Sequence, residues 1–265
     1  VSVTSIIRWF DNLNYPHPKL PECIAIDELR GNAGGEKFQC NIADPVKHQV
    51  IDILPSRNTE NLCKHFLEYP YKERAAVKKI IMDLSTLFRS VAKTMFPEAK
   101  IVADKFHVIR AVINSLENVR KRIQKEFHAT KRKWFKRSRY LLLKPEYKLT
   151  SEDKTELARM LNSSYDLEKA YVLKERFYEV FRKQTRTEAK KELGKWLLLA
   201  ADLSLPEFRH CITTFSNWKT EIANIIGERV SNGFIEGSNN KIKVLKRISY
   251  GVQNFDRFRN RILYL

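Results

Sequence analysis

The chain has 265 residues, 43% hydrophobic and 30% charged, with only 8 Gly and 9 Pro. That composition excludes a disordered or collagen-like chain and suffices for one large domain or two ordinary ones. The 49 Lys and Arg against 31 Asp and Glu give a formal charge of +18, unevenly spread: residues 1–103 hold 14 basic and 12 acidic side chains, residues 104–265 hold 35 and 19. Such a surplus repels itself unless a polyanion neutralises it, so nucleic acid is the expected partner. The longest apolar stretches, such as Trp196–Ala201, fall far short of the roughly 20 residues needed to span a bilayer, so no membrane partner is expected. Val1–Phe10 lacks the order of a secretory signal. Cys23, Cys40, Cys63 and Cys211 lie far apart without a Cys-x-x-Cys pair, which points away from a zinc ribbon and toward a reducing, cytoplasmic compartment.

In chain order, a short helix over Ser5–Leu13 leads into Pro-interrupted, extended chain. Residues 1–22 thus read as a linker from an upstream region. Cys23–Asp27 is an apolar, β-branched run ending in an acid; Phe38–Ile42 and Val46–Leu54 are two more strands around an Ala43-Asp44-Pro45 turn. Thr59 is a plausible N-cap for a helix through Leu67, and the spacing of Val77, Ile80, Ile81, Leu84, Leu87, Phe88 and Val91 predicts an amphipathic helix over Lys72–Phe96. Lys100–Ala103 is another β-branched run with Asp104 at its end. From His107 to Phe127, apolar residues three and four apart predict a helix, followed by helices over Glu152–Leu161, Tyr165–Lys183, Thr187–Ala201 and Pro206–Ile226. A capping box at Thr150–Asp153 opens the first of these four. Residues 129–226 therefore read as an all-helical insertion. After a Ser231-Asn232-Gly233 turn, a helix over Phe234–Ile248 passes through Tyr250-Gly251 into a last one, Phe255–Tyr264.

Two acids, Asp27 and Asp104, stand at the ends of predicted strands, where clefts form at a sheet's edge; a third, Glu236, lies in the first turn of a late helix. They are separated by 77 and 132 residues, so only the fold can unite them. The order β-β-β-α-β-α opens a ribonuclease-H-like fold, an α/β mixed sheet in which such acids converge. Its core would comprise residues 23–128 and 227–265. Oxygen ligands of this kind suit Mg²⁺ or Mn²⁺, and the chemistry that needs them is phosphodiester attack.

Two segments, Ile101–Val108 (IVADKFHV) and Gly233–Arg247 (GFIEGSNNKIKVLKR), resemble those of bacterial insertion-sequence DDE transposases of the ISL3 type. The Asp-x-x-His following a strand and the Glu-Gly-x-Asn-x-x-Ile-Lys helix are specific in combination, and the resemblance spans about residues 22–262. It implies that Asp27, Asp104 and Glu236 form the metal-binding triad of a catalytic core that cleaves transposon ends and transfers strands into target DNA. It further implies that the family's upstream zinc-binding and DNA-recognition part is absent from this chain, that the protein works in the bacterial cytoplasm at the nucleoid, and that it assembles on double-stranded DNA as a dimer or larger oligomer. His107, three residues after Asp104, is expected to support the site without being a primary ligand.

Lys131–Arg139 (KRKWFKRSR) has six basic residues in nine. Lys131, Arg132, Lys133, Lys136, Arg137 and Arg139 are expected to grip phosphates. Trp134 is expected to contact DNA with them, as aromatics between cations can stack on unpaired bases or wedge into a duplex; the alternative is that Trp134 and Phe135 anchor the insertion's core. On the last long helix Asn240, Lys243 and Arg247 share the side of Glu236 and extend the expected DNA contacts. The rival functions are a non-catalytic DNA-binding protein of transposase ancestry and a nuclease that cuts without joining strands.

Overall fold

The chain folds into two compact units, residues 1–104 with 228–265, and residues 105–227. A computed structural model describes every residue except 14, 16, 32, 229–232, 250, 251 and 265. The expected Ser231-Asn232 turn and Tyr250-Gly251 passage therefore lie outside the described residues.

Helix α1 (Val3–Asp11) precedes strands β1 (Cys23–Leu29), β2 (Gln39–Asp44) and β3 (Gln49–Leu54). Helices α2 (Thr59–Leu67) and α3 (Tyr71–Ala75), strand β4 (Lys79–Met82), helix α4 (Thr86–Met95) and strand β5 (Lys100–Ala103) follow. The expected meander is present, with its turn moved: β2 continues through Asp44, whose Oδ1 accepts the amides of Val46 and Lys47 at 2.8 and 2.9 Å, and His48 turns the chain at φ 56°. Asn58, not Thr59, caps α2, its side chain accepting the Asn61 amide.

The long helix expected over Lys72–Phe96 is instead a short helix, a strand and a second helix. Val77, Ile80 and Met82 are fully buried and Ile81 nearly so. A parallel strand covered on both faces reads as a continuous apolar run, which also satisfies a helical stripe. Ser85 settles the boundary, since its hydroxyl accepts the Phe88 amide and starts α4 afresh. Lys100–Ala103 is consequently the fifth strand and not the fourth. The sheet order is β3-β2-β1-β4-β5, with β1–β2 and β2–β3 antiparallel and β1–β4 and β4–β5 parallel.

The second unit holds α5 (Lys105–Ile123), α6 (Ala129–Arg137), α7 (Arg139–Leu143), α8 (Ser151–Leu161), α9 (Tyr165–Tyr178), α10 (Arg186–Leu203), α11 (Arg209–Asn217) and α12 (Lys219–Ala223). The predicted capping box is formed by Thr150 and Asp153 at the start of α8. Phe177 stacks on Phe215 at 5.3 Å and meets Trp196 at 5.0 Å, while Trp196 Nε1 donates to the Leu173 carbonyl. Buried Lys174 donates to the carbonyls of Leu142 and Lys144, both at 2.9 Å. Glu117, also buried, pairs with Arg120 at 2.8 Å and Arg139 at 2.6 Å.

The chain returns to the first unit through Glu228, followed by α13 (Gly233–Ile248) and α14 (Phe255–Leu263). Ile235 of α13 packs on Ala25 and Ala43, which face each other on β1 and β2. Small side chains there let the helix backbone approach the sheet. Farther along, Ile242, Phe258 and Ile262 bury against Leu29 and Ile53. The first residues of β4 and β5, Lys79 and Lys100, both bond the Glu228 carboxylate. Burial alone pushes this carboxyl up, but the bonds from Lys100 and Lys79 outweigh it and hold it below its ordinary value. The folded chain thus keeps Glu228 ionised at pH values where the unfolded chain takes up its proton, and the stabilisation is lost as pH falls through the lowered value. We expect Glu228→Gln to cost about 1–3 kcal/mol at neutral pH in urea denaturation. The gap between variant and parent should close in acid.

Candidate active site

Alternate residues of β1 face α13 and α14: Ala25, Asp27 and Leu29 lie on that side, with Ala25 and Leu29 in the apolar contacts. An acid between two buried apolar positions needs hydrogen-bond partners, and those of Asp27 include a backbone amide and a side-chain amide. Its Oδ1 accepts the Glu28 amide and its Oδ2 accepts Nδ2 of Asn239, both at 2.8 Å. The Oδ1 of Asn239 in turn accepts Nδ2 of Asn41, the β2 residue paired with Asp27, at 2.8 Å. One buried amide therefore bridges two strands and fixes α13 over them.

Glu236 lies three residues before Asn239 on α13 and is exposed, one turn nearer the helix N-terminus. Asn240, Lys243 and Arg247 are also exposed, whereas Asn239 turns inward. Asp104 follows β5 and is buried, its amide donating to the Met82 carbonyl at 2.7 Å. Between it and β1 runs β4, which the sequence reading merged into a helix, and Asp83 follows β4. Ile26 pairs with Met82, and Met82 with Ala103, so Asp27, Asp83 and Asp104 each directly follow these paired residues of three adjacent parallel strands. Neighbouring strands lie about 4.8 Å apart, placing Asp83 one spacing from Asp27 and Asp104 two, roughly 10 Å.

The electrostatics mark the same edge. The Cys40 thiol on β2 is pushed well above its ordinary value, first by burial and then by the carboxylates of Asp27, Asp83, Asp52 and Glu28. Those carboxylates come from β1, β3 and the end of β4, so Cys40 lies in negative surroundings. Asp27, Asp83, Asp104 and Glu236 carry the oxygen donors that a hard divalent ion takes. Among the described residues, the acids do not form a set with ligand atoms within 4.8 Å of one another; the set that does is His17, Asp52 and His65. Like charges sharing a site hold one another apart.

His107 lies on α5 in the second unit, where it lines a cavity with Arg110, Asn114, Glu207, His210 and Cys211. On α6 and its C-terminal flank, Lys131, Arg132, Lys133, Lys136, Arg137 and Arg139 are exposed. Phe135 is fully buried against Phe127, and half-buried Trp134 donates Nε1 to Glu156. Phe135 thus anchors the core of the insertion, while Trp134 lies half-buried at its edge. Asp83 is the candidate site residue that sequence reading missed. The Ile-Ile-Met-Asp order ahead of Ser85 was its signal, an acid after a short β-branched run like those before Asp27 and Asp104.

Comparison with known proteins gives a match to a family described as transposase, over residues 24–262. The transposase for insertion sequence element IS1001 of Bordetella parapertussis is 26% identical over 241 residues, 89% of this chain and 59% of that protein. The transposase for IS1557 of Mycobacterium tuberculosis is 27% identical over 254 residues, 87% of this chain and 57% of that protein. The chain thus spans under three-fifths of the length of these relatives. A protein of Lactococcus lactis named ATP-dependent protease is 35% identical over 94 residues, 35% of this chain. No solved structure is a significant match. The family match covers nearly the whole sequence and takes in all four strand-end and helix acids; the chain belongs to the ISL3-type family of DDE transposases.

Proposed function

We propose that the chain is the catalytic part of a transposase that cuts phosphodiester bonds at insertion-sequence ends and joins the freed 3′-hydroxyl to target DNA. The observation that carries this reading is the placement of Asp27, Asp83 and Asp104 directly after paired residues of three adjacent strands, with the Asn239 bond seating the helix of Glu236 beside them. The sheet order β3-β2-β1-β4-β5, antiparallel then parallel, supports a ribonuclease-H-like core into which residues 129–226 are inserted.

Bound Mg²⁺ or Mn²⁺ would activate the attacking oxygen and neutralise the leaving one, so that no nucleophilic side chain is required. Asp27 is the central ligand: the Glu28 amide and the Asn239 side chain fix its carboxylate at the end of the strand pair. Glu236 completes the site from α13. Of the two remaining aspartates, Asp83 is the neighbour able to share ions with Asp27. Asp104, the acid singled out by the sequence motif, stands one strand farther and supports Asp83. Exposed Lys243 and Arg247, on the helix of Glu236, bind the phosphates flanking the scissile bond, and the basic stretch Lys131–Arg139 binds DNA from the second unit.

On a plasmid carrying the element's ends, Asp27→Asn, Asp83→Asn and Glu236→Gln should each abolish Mg²⁺-dependent cleavage while DNA affinity holds or rises slightly, because negative charge leaves a phosphate-binding cleft. Asp104→Asn and His107→Ala should slow it by about 10 to 100-fold, as loss of an orienting partner does. Full-rate cleavage by Asp27→Asn would refute the site, and full-rate cleavage by Asp83→Asn with none by Asp104→Asn would reverse their roles. A pre-cut end in a strand-joining assay separates a transposase from a nuclease.

Each neutralised duplex phosphate contributes about 0.9 to the slope of log affinity against log salt. Changing Lys131, Lys133, Lys136 and Arg137 together to Ala should therefore flatten that slope by roughly two to four units. An unchanged slope would mean that these charges are only solvated.

A further inference from the structure

Away from the acids, the first unit gathers a second set of ligand-type side chains. His17 lies between α1 and β1, Asp52 on β3 and His65 on α2, and one ligand atom from each falls within 4.8 Å of the others. His65 is 6% exposed, and neither of its ring nitrogens makes a hydrogen bond among the described residues. Its Nε2 is buried without a partner, and its Nδ1 stands 3.7 Å from Oδ2 of Asp52, too far for such a bond. Tyr69, edge-on to both imidazoles, likewise has a buried hydroxyl without a partner among the described residues. Buried polar groups are rarely left this way, and two occur at one place.

We propose that His17, Asp52 and His65 bind one divalent transition-metal ion of the zinc type. Ligands around a tetrahedral ion with bonds of about 2.1 Å are roughly 3.4 Å apart, so the 3.7 Å between His65 and Asp52 is near a ligand spacing. The flanking contacts leave suitable atoms available. Glu68 pairs with Nε2 of His17 at 3.1 Å, which orients the ring. Oδ1 of Asp52 is held by Arg259 Nε at 2.5 Å and by the Ile53 amide at 2.7 Å, leaving Oδ2. Asp52 and Glu68 against Arg259 give one net negative charge, which favours a cation. Two imidazoles with one carboxylate select Zn²⁺ or Co²⁺ over Mg²⁺, unlike the all-oxygen set at Asp27. Bound there, the ion fastens the segment that precedes β1 to β3 and α2.

The test is equilibrium dialysis of chelator-stripped protein against Zn²⁺ and Co²⁺, in a chain carrying Asp27→Asn and Glu236→Gln so that the acid site does not contribute. We expect one ion per chain, a tetrahedral Co²⁺ absorption band, and no competition from millimolar Mg²⁺. His17→Ala, which removes an exposed side chain and leaves the core intact, should weaken binding by roughly ten- to a hundredfold. His65→Gln should do the same. Absence of stoichiometric binding in the parent chain, or an unchanged affinity in His17→Ala, overturns the proposal.

Discussion

The side-chain amide of Asn239 holds the first unit in register. It accepts from Asn41 on β2 and donates to Asp27 on β1, each at 2.8 Å, so a single buried group ties two strands to the helix that carries Glu236. Both bonds are sheltered from water, where losing one partner strands another. Around this link the packing is apolar and close: Ile235 sits on Ala25 and Ala43, and Ile242 on the cluster with Leu29 and Ile53. A large residue at Ala25 or Ala43 would lift the helix and with it the amide. The polar link sets the helix's position along the strands, and the small side chains set its height above them.

The same constraint explains how a protein of charge +18 keeps acids together. After burial, the carboxylates of Asp27, Asp83, Asp52 and Glu28 push the Cys40 thiol up, so acids gather around it in a basic chain. Acids held this close repel one another, and the proposed divalent ion would relieve that repulsion. Much of the surplus lies in the second unit, where Lys131, Lys133, Lys136 and Arg137 are exposed because Phe135 beneath them fills the core.

Much of this was legible in the sequence, for identifiable reasons. Strands β1, β2, β3 and β5 are short β-branched runs closed by turn residues, and α13 shows its buried stripe at Ile235 and Ile242. Asp27, Asp104 and Glu236 were singled out from their places in those elements. Strand β4 was not, because Val77, Ile80, Ile81 and Leu84 fit a helical stripe as well as a strand buried on both faces; reading it as helix hid Asp83 in mid-element. Phe135 had no sequence signal that set it apart from Trp134, and only its burial against Phe127 shows it as a core residue. His17, Asp52 and His65 had no motif, since 35 and 13 residues separate them and three different elements bring them together.

Anomalous scattering from crystals soaked in Mn²⁺ tests the central claim most directly. The account predicts peaks between Asp27 and Asp83, within coordination reach of Glu236. Peaks at Asp104 with none beside Asp27, or no peak at the strand ends at saturating Mn²⁺, would contradict it.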